Sequence, residues 1–235
     1  MFNATVPYTP YGGVRDLWRC RAPEVCIYAG SGTGKTLGIL QKIDLACRKY
    51  PGLRVLVCRA TRASLTESIL VTFETHVADG AIINLASQQR KTRHSYIYVN
   101  GSSIVVGGLD NAERMLSTDY DWVYVGEATE AREDKVETLI PRLRNFKAPY
   151  QQLILDCNPT HPNHWLKRRM DRGACLGIFS THKDNPRWWD GEKQEWTVDG
   201  VRYLATLERL TGHRVDKPLA RGPLALKEPC PPMPG

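Results

Sequence analysis

Short apolar runs alternate with segments of helical spacing along most of the chain. The apolar runs predict five strands, at residues 25–28, 54–58, 121–125, 153–157 and 176–180. Apolar positions three and four residues apart predict helices at residues 37–48, 65–77, 134–144, 163–171 and 188–210. Strands that alternate with helices in this way indicate an α/β fold with a mostly parallel sheet and helices on both faces.

A different pattern lies between the second and third of these strands. Residues 96–99 and 103–106 are rich in β-branched and aromatic side chains, and they flank Asn100-Gly101. An Asn-Gly pair between two such runs is a strong signal for a β-hairpin. The sequence therefore predicts an antiparallel addition to the sheet.

The first strand leads into a glycine-rich segment and then directly into the first helix. The segment has the pattern A-x-x-x-x-G-K-T, formed by Ala29, Gly30, Ser31, Gly32, Thr33, Gly34, Lys35 and Thr36. Between a strand and a helix this pattern predicts a phosphate-binding loop, because the glycines let backbone N–H groups face phosphate oxygens. Lys35 would contact the β- and γ-phosphates, and the Thr36 hydroxyl would ligate Mg²⁺. The strict pattern begins with glycine, which the small Ala29 replaces; the alternative is a glycine-rich turn that binds nothing.

The third strand ends at Gly126-Glu127. Hydrolysis of a nucleoside triphosphate uses one acid to help hold Mg²⁺ and another to orient and deprotonate the attacking water. Glu127 stands at the second position, but Gly126 stands where the first is normally an aspartate. Either Glu127 serves both purposes, or a nearby acid such as Asp156 or Glu130 helps, or metal binding is weak. For Glu127 the alternative is a solvated carboxylate at a strand end.

Asn158 and Thr160 follow the fourth strand. If this strand lies between the strand before the phosphate-binding loop and the strand before Glu127, one of the two side chains would face the γ-phosphate. That side chain would then distinguish ATP from ADP. The alternative is that Asn158-Pro159 only forms a turn.

Arg114 lies before the third strand and is a candidate for a guanidinium that acts on a neighbouring subunit. Such a group stabilises the charge that develops as a phosphoryl group is transferred. Arg142 and Arg144 compete for this role. For any one of the three arginines, an ordinary surface charge is the alternative.

The net charge of the 235-residue chain is +7, which favours an anionic partner. Basic clusters at residues 90–93 and 167–169 would either follow a phosphate backbone or form solvated faces. Tyr8 and Tyr11 precede the first strand, where an aromatic side chain would stack on a nucleotide base or belong to an ordinary lead-in loop.

No apolar run is long enough to span a bilayer, and the N-terminus lacks the pattern of a secretory signal. The seven cysteines never form C-x-x-C, which indicates a reducing compartment.

Residues 229–234 are rich in proline. We therefore expect one domain over residues 1–211 and a flexible tail or linker over residues 212–235.

Six segments together resemble the ATPase domain of the large terminase subunit of tailed bacteriophages, in the order found in that family. They are residues 29–36, 57–70 (VCRATRASLTESIL), 108–117, 123–130 (VYVGEATE), 155–165 (LDCNPTHPNHW) and 181–186 (THKDNP). The resemblance implies a P-loop NTPase core of the additional-strand, catalytic-glutamate type. It implies a motor in the host cytoplasm that pumps double-stranded DNA through a portal into the procapsid, acting as a homo-oligomeric ring with portal protein and small terminase subunit as partners.

The same resemblance assigns roles to individual residues. Lys35 and Thr36 would bind phosphate and Mg²⁺, with ATP as substrate, and Glu127 would be the catalytic acid. Asn158 would lie in the coupling motif, with Thr160 beside it. Arg114 is the best match to an arginine finger that acts in trans.

The chain departs from the family at three places. Gly126 replaces the usual acid, and residues 30–33 lack the basic side chain that many terminases carry there. The sequence also stops before the RNase H-type nuclease domain of the family, as in an experimentally shortened chain, a split gene product or a degenerate prophage copy. We therefore expect no nuclease activity, and cleavage of plasmid DNA with Mg²⁺ or Mn²⁺ would contradict this.

Two other functions compete with the motor. A helicase or repair translocase would need a second RecA-like domain, for which 235 residues leave no room. An assembly module would bind ATP, portal or small terminase subunit without turnover, and Gly126 keeps this alternative open.

Overall fold

A seven-stranded sheet forms the centre of the computed structural model, which describes residues 8–79, 82, 94–111, 113–159 and 161–211. Its strands are β1 (Glu24–Tyr28), β2 (Arg54–Arg59), β3 (Ser95–Ile97), β4 (Ser103–Gly108), β5 (Trp122–Val125), β6 (Gln152–Cys157) and β7 (Leu176–Phe179). Their spatial order is β3-β4-β2-β5-β6-β1-β7. All neighbouring strands are parallel except β3 and β4. The predicted α/β fold with a mostly parallel sheet is confirmed.

The helices connect these strands, and a small two-stranded sheet lies outside them. The helices are α1 (Gly12–Arg19), α2 (Lys35–Lys49), α3 (Arg62–Glu67), α4 (Ile69–His76), α5 (Glu113–Leu116), α6 (Glu133–Glu137), α7 (Trp165–Asp171) and α8 (Val198–Thr211). The small sheet pairs β8 (Trp189–Asp190) with β9 (Glu195–Trp196).

Each face of the large sheet carries its own hydrophobic core, because neighbouring residues of a strand point to opposite faces. On one face Val25 and Ile27 of β1 pack in the same cluster as Ile39 and Ile43 of α2. On the other face Cys26 packs in a cluster with residues of α7. Burial on both sides explains why the central strands are almost continuously apolar.

The predicted hairpin forms at one edge of the sheet. β3 pairs antiparallel with β4, with Tyr96 opposite Ile104. Gly101 has φ of +80° at the turn, a conformation that favours glycine. The second strand of the hairpin, β4, also pairs in parallel with β2, so the hairpin is joined to the main sheet through that strand.

Two of the predicted helices are shorter than the sequence suggested. The segment 65–77 is not one helix, because Ser68 leaves helical geometry (φ −129°, ψ −78°) and separates α3 from α4. The predicted helix at 134–144 ends at Glu137 and is followed by a 3₁₀ turn, Ile140–Arg142. Pro141 lies in that turn, and its missing N–H and its ring disfavour a continuous α-helix.

Two further segments differ from the prediction. The continuous helix predicted at 188–210 is wrong in its first part, since β8 and β9 form a hairpin in which Trp189 and Trp196 meet edge to face with 5.0 Å between ring centroids. This aromatic pair stabilises strands where helical spacing alone suggested a helix. In the lead-in segment, α1 was not predicted; its Val14 and Leu17 are buried against the sheet.

One of the two basic clusters, residues 167–169, lies among acidic side chains. Arg169 is buried and forms ion pairs with Glu24 and Glu137, so it does not form part of a solvent-exposed basic surface. Lys167 and Arg168 also have acidic partners.

The cluster at 90–93 and the predicted tail at 212–235 lie outside the described residues. In the part of the chain that is described, no helix has both the length and the apolar character needed to cross a membrane.

Candidate nucleotide-binding site

The phosphate-binding loop connects the carboxyl end of β1 to the start of α2. Gly32 and Gly34 have φ of +77° and +89°, which glycine adopts without strain. Ala29 is fully buried, and its N–H donates to the carbonyl of Cys157 over 3.1 Å. Alanine is therefore accommodated at the first position of the pattern.

Lys35 is folded across this loop. Its Nζ donates to the carbonyl oxygens of Ala29 (2.8 Å) and Gly30 (3.0 Å) and to Oδ1 of Asn158 (3.0 Å). The contact with Asn158 is possible because β6 lies between β1 and β5. This strand order is the condition under which the sequence predicted that Asn158 or Thr160 would face the γ-phosphate. The first lysine of α2 and the end of β6 thus share one site.

Glu127 follows β5 in a left-handed backbone conformation (φ 48°, ψ 53°) that is strained for a residue with a side chain. Its N–H donates to Oδ1 of Asp156 over 3.1 Å. Burial and the Asp156 carboxylate raise the pKa of Glu127 above its ordinary value, and the positive charge of Lys35 opposes that rise. Glu127 therefore lies in the electrostatic field of the same site as Lys35.

Gly126 cannot be replaced by an acid without movement of its surroundings. A Cβ atom at this position would overlap Cδ1 of Ile69. On the neighbouring strand Asp156 is only 1% exposed, and burial raises the pKa of its carboxyl. Glu130, the other acid that the sequence suggested, is about half exposed and pairs with Arg59 over 2.7 Å. Of these two acids, Asp156 alone is enclosed beside Gly126.

The tip of the phosphate-binding loop is held from outside by four side chains, which we call the loop clamp: His182, Asn185, Trp188 and Tyr203. Two of them meet the carbonyl oxygen of Ser31. Nε2 of His182 lies 2.7 Å from this oxygen, and the hydroxyl of Tyr203 donates to it over 2.9 Å.

The other two members of the loop clamp donate to the carbonyl oxygen of Gly32. The donors are Nδ2 of Asn185 (3.0 Å) and Nε1 of Trp188 (2.6 Å). Trp188 also stacks on Tyr203, with ring centroids 4.6 Å apart and planes 11° apart. Residues 181–186 follow a predicted strand and Tyr203 lies in the helix predicted at 188–210, but neither pattern indicated contact with a loop more than 150 residues earlier.

The lead-in aromatics lie along the start of α2. A Cβ atom on Gly34 would overlap the hydroxyl of Tyr11, and a Cβ on Gly38 would lie 2.8 Å from the hydroxyl of Tyr8. Tyr11 thus lies at the end of the phosphate-binding loop, and Tyr8 lies beside the first turn of α2. Stacking of either ring on a nucleotide base stays a prediction.

Comparison with models of protein families gives a match over residues 23–199 to the family described as phage terminase large subunit. The chain belongs to this family. The matched region includes the phosphate-binding loop, Glu127, Asn158 and part of the loop clamp. A comparison with curated proteins gives no match.

Solved terminase structures share the fold. The large terminase of a thermophilic bacteriophage is 14% identical with a TM-score of 0.59, and the match covers 78% of this chain and 51% of that one. The large terminase ATPase domain of Thermus phage P74-26, in a mutant form, is 15% identical with a TM-score of 0.54, and the match covers 86% and 91% of the two chains. This terminase chain therefore has the fold of those ATPase domains and spans about half the length of the first protein.

Two residues that the sequence singled out are not placed in the site. Arg114 lies in α5 with only its backbone described, and Thr160 lies outside the described residues. The roles of both in this terminase chain remain predictions.

Replacing Trp188 by Phe is expected to weaken ATP binding about fivefold. The variant keeps an aromatic ring on Tyr203 but removes one hydrogen bond to Gly32, which is worth about 1 kcal/mol. A fluorescence titration with a labelled ATP analogue measures the change. The control is Trp196→Phe in the β8–β9 hairpin; equal affinities for the two variants would contradict a role for the loop clamp.

Proposed function

We propose that this chain binds ATP with Mg²⁺ and hydrolyses it, as the ATPase domain of a motor that drives double-stranded DNA into a viral procapsid. The observation that carries the proposal is the hydrogen bond between Lys35 and Asn158, with Glu127 at the end of the next strand. Three groups with the chemistry of ATP hydrolysis thereby follow the carboxyl ends of three adjacent strands, β1, β6 and β5. Family membership supports the link to DNA packaging.

In this mechanism Lys35 exchanges its loop carbonyls and Asn158 for the β- and γ-phosphates. Mg²⁺ bound with ATP would neutralise charge at these phosphates, and the Thr36 hydroxyl would be its ligand from the loop. Glu127 orients the attacking water and accepts its proton. Asn158 loses its partner when Lys35 moves, so the end of β6 responds to occupation of the loop.

The proposed partners follow from the family. Several copies would form a ring on the portal protein, in the host cytoplasm at the procapsid, and the small terminase subunit would join them. Arg114 would act on the ATP of the neighbouring copy, and Thr160 would belong to the coupling segment. The net charge of +7 is compatible with double-stranded DNA as the partner that is moved.

A second function is favoured by one observation. Gly126 provides no carboxylate on β5 beside Glu127. An ATP-binding assembly module, or a degenerate prophage copy, would tolerate such a loss because it does not turn over. This candidate requires that ATP binds and is not hydrolysed.

The test is Mg²⁺-dependent ATP hydrolysis by the chain, with and without duplex DNA. We expect turnover by the unmodified chain and an approximately 100-fold loss of ATP affinity in Lys35→Ala, because charged hydrogen bonds to phosphate are lost. Lys49→Ala, at the other end of α2, is the matched control. Binding without turnover under every condition selects the assembly module, and absence of ATP binding refutes both functions.

A further inference from the structure

Gly126 stands directly after β5 at the position that an acid normally occupies, and the side chain of Ile69 reaches into the space beside it. A Cβ atom on Gly126 would overlap Cδ1 of Ile69, and it would lie 3.3 Å from the Tyr124 hydroxyl. A larger side chain at this position requires Cδ1 of Ile69, the end of a buried side chain, to shift. The carboxylate that usually accompanies Mg²⁺ and ATP therefore has to come from another element.

The pairing of β5 with β6 places Asp156 beside the same position. Val125 lies opposite Leu155 in the parallel register, so Gly126 and Asp156 are the next neighbours. Oδ1 of Asp156 would lie 3.5 Å from a Cβ atom on Gly126. The carboxylate of Asp156 thus stands next to the space that the missing acid would have used.

The two oxygens of Asp156 have different surroundings. Oδ1 accepts hydrogen bonds from the Tyr124 hydroxyl (2.8 Å) and the Glu127 N–H. No hydrogen-bond donor among the described residues reaches Oδ2, which is buried. A buried carboxylate oxygen without a partner is costly, and an unplaced ion is one of its physical explanations.

Tyr124 connects this carboxylate to the phosphate-binding loop. Its hydroxyl donates to Oδ1 of Asp156, and the nearby side chain of Thr36 opposes the rise that burial causes in the pKa of this hydroxyl. Thr36 is the residue whose hydroxyl ligates Mg²⁺ in P-loop proteins. Tyr124 therefore contacts the Asp156 carboxylate and lies near the loop residue that would ligate Mg²⁺.

We propose that Asp156, on β6, replaces the acid missing at residue 126 and provides the carboxylate that holds Mg²⁺ with ATP. The inference rests on the proposed function, because the cation would arrive with the nucleotide. Within the described residues no three His, Cys, Asp or Glu side chains cluster as an all-protein metal site. Mg²⁺ commonly binds through one or two carboxylates together with substrate phosphates, which matches this arrangement.

The experiment measures Mn²⁺ affinity by electron paramagnetic resonance in the presence of a slowly hydrolysed ATP analogue. We expect Asp156→Asn to weaken Mn²⁺ binding about 10- to 100-fold. Binding of the analogue in EDTA should stay within about twofold of the unmodified chain, since the hydrogen bonds that Asp156 accepts come from Tyr124 and Glu127 and not from the phosphate-binding loop. Glu130→Gln is the matched control and should leave Mn²⁺ affinity unchanged.

A second set of variants keeps the inference testable if the amide at 156 prevents folding. Asp156→Ala should show the same loss of Mn²⁺ affinity. Adding Gly126→Asp together with Ile69→Ala to Asp156→Asn should restore part of the affinity, because the carboxylate returns to β5 in the space that Ile69 leaves.

The outcomes separate the inference from the function on which it rests. Unchanged Mn²⁺ affinity in Asp156→Asn, or an equal loss in Glu130→Gln, overturns the role of Asp156 while the proposed ATPase stands. Failure of the unmodified chain to bind the analogue in EDTA and with Mn²⁺ overturns both.

Discussion

Glu127→Gln is expected to lower the rate of ATP hydrolysis about 10²- to 10⁴-fold and to leave ATP affinity within about twofold of the unmodified chain. The loss corresponds to removal of a general base from a water that still occupies its position. Glutamine has nearly the same size as glutamate and keeps the side-chain length at this strained backbone position (φ 48°). Steady-state hydrolysis and a separate binding titration measure the two quantities.

Glu130→Gln is the control for Glu127→Gln, because both residues belong to the same turn after β5. Glu130 pairs with Arg59 and is about half exposed, so its loss should alter turnover less than twofold. Wild-type turnover in Glu127→Gln would show that another group activates the water. Loss of ATP binding in that variant would indicate instead that the turn holds the loop in place.

Arg169→Ala is expected to lower the free energy of unfolding by about 3–5 kcal/mol. Arg169 and Glu24 form a two-fold hydrogen-bonded pair with distances of 2.8 and 2.6 Å, and their side chains are only 8% and 9% exposed. Removal of the guanidinium leaves the Glu24 carboxylate buried at the start of β1 without its partner. Urea unfolding followed by circular dichroism measures the difference.

Arg168→Ala provides the comparison for Arg169→Ala on the same helix. Its side chain is 63% exposed and lies 3.8 Å from Glu133, so we expect a change below about 1 kcal/mol. Adding Glu24→Gln to Arg169→Ala should recover part of the lost stability, because the buried charge is removed. Equal stability of the two single arginine variants would contradict the buried ion pair.

The parallel sheet was predictable because each central strand is buried on both faces and reads as a continuous apolar run. The phosphate-binding loop was predictable because its glycines, lysine and threonine have fixed spacing along the chain. Helix boundaries were less predictable. Ser68 interrupts the segment 65–77 through its backbone conformation, which the residue types of the segment do not predict. The Trp189–Trp196 pair forms only because a turn brings the two rings together.

The acid beside Gly126 was left as one of several alternatives for a physical reason. Asp156 is 30 residues away in the sequence, and only the register of β5 against β6 makes it a neighbour. The loop clamp also depends on how the strands are arranged. His182 and Tyr203 follow β7, and they contact Ser31 because β7 lies beside β1 in the sheet. Contacts that arise from strand order and register are not encoded in any local pattern.

The hydrogen bond from the Tyr203 hydroxyl to the Ser31 carbonyl joins α8 to the tip of the phosphate-binding loop. The helix has 14 residues, and eight of them follow Tyr203 up to Thr211, a length of about 12 Å. A tilt of α8 by roughly 10° about Tyr203 would move the C-terminal end of the helix by about 2 Å, because the displacement grows with the length of helix beyond the pivot.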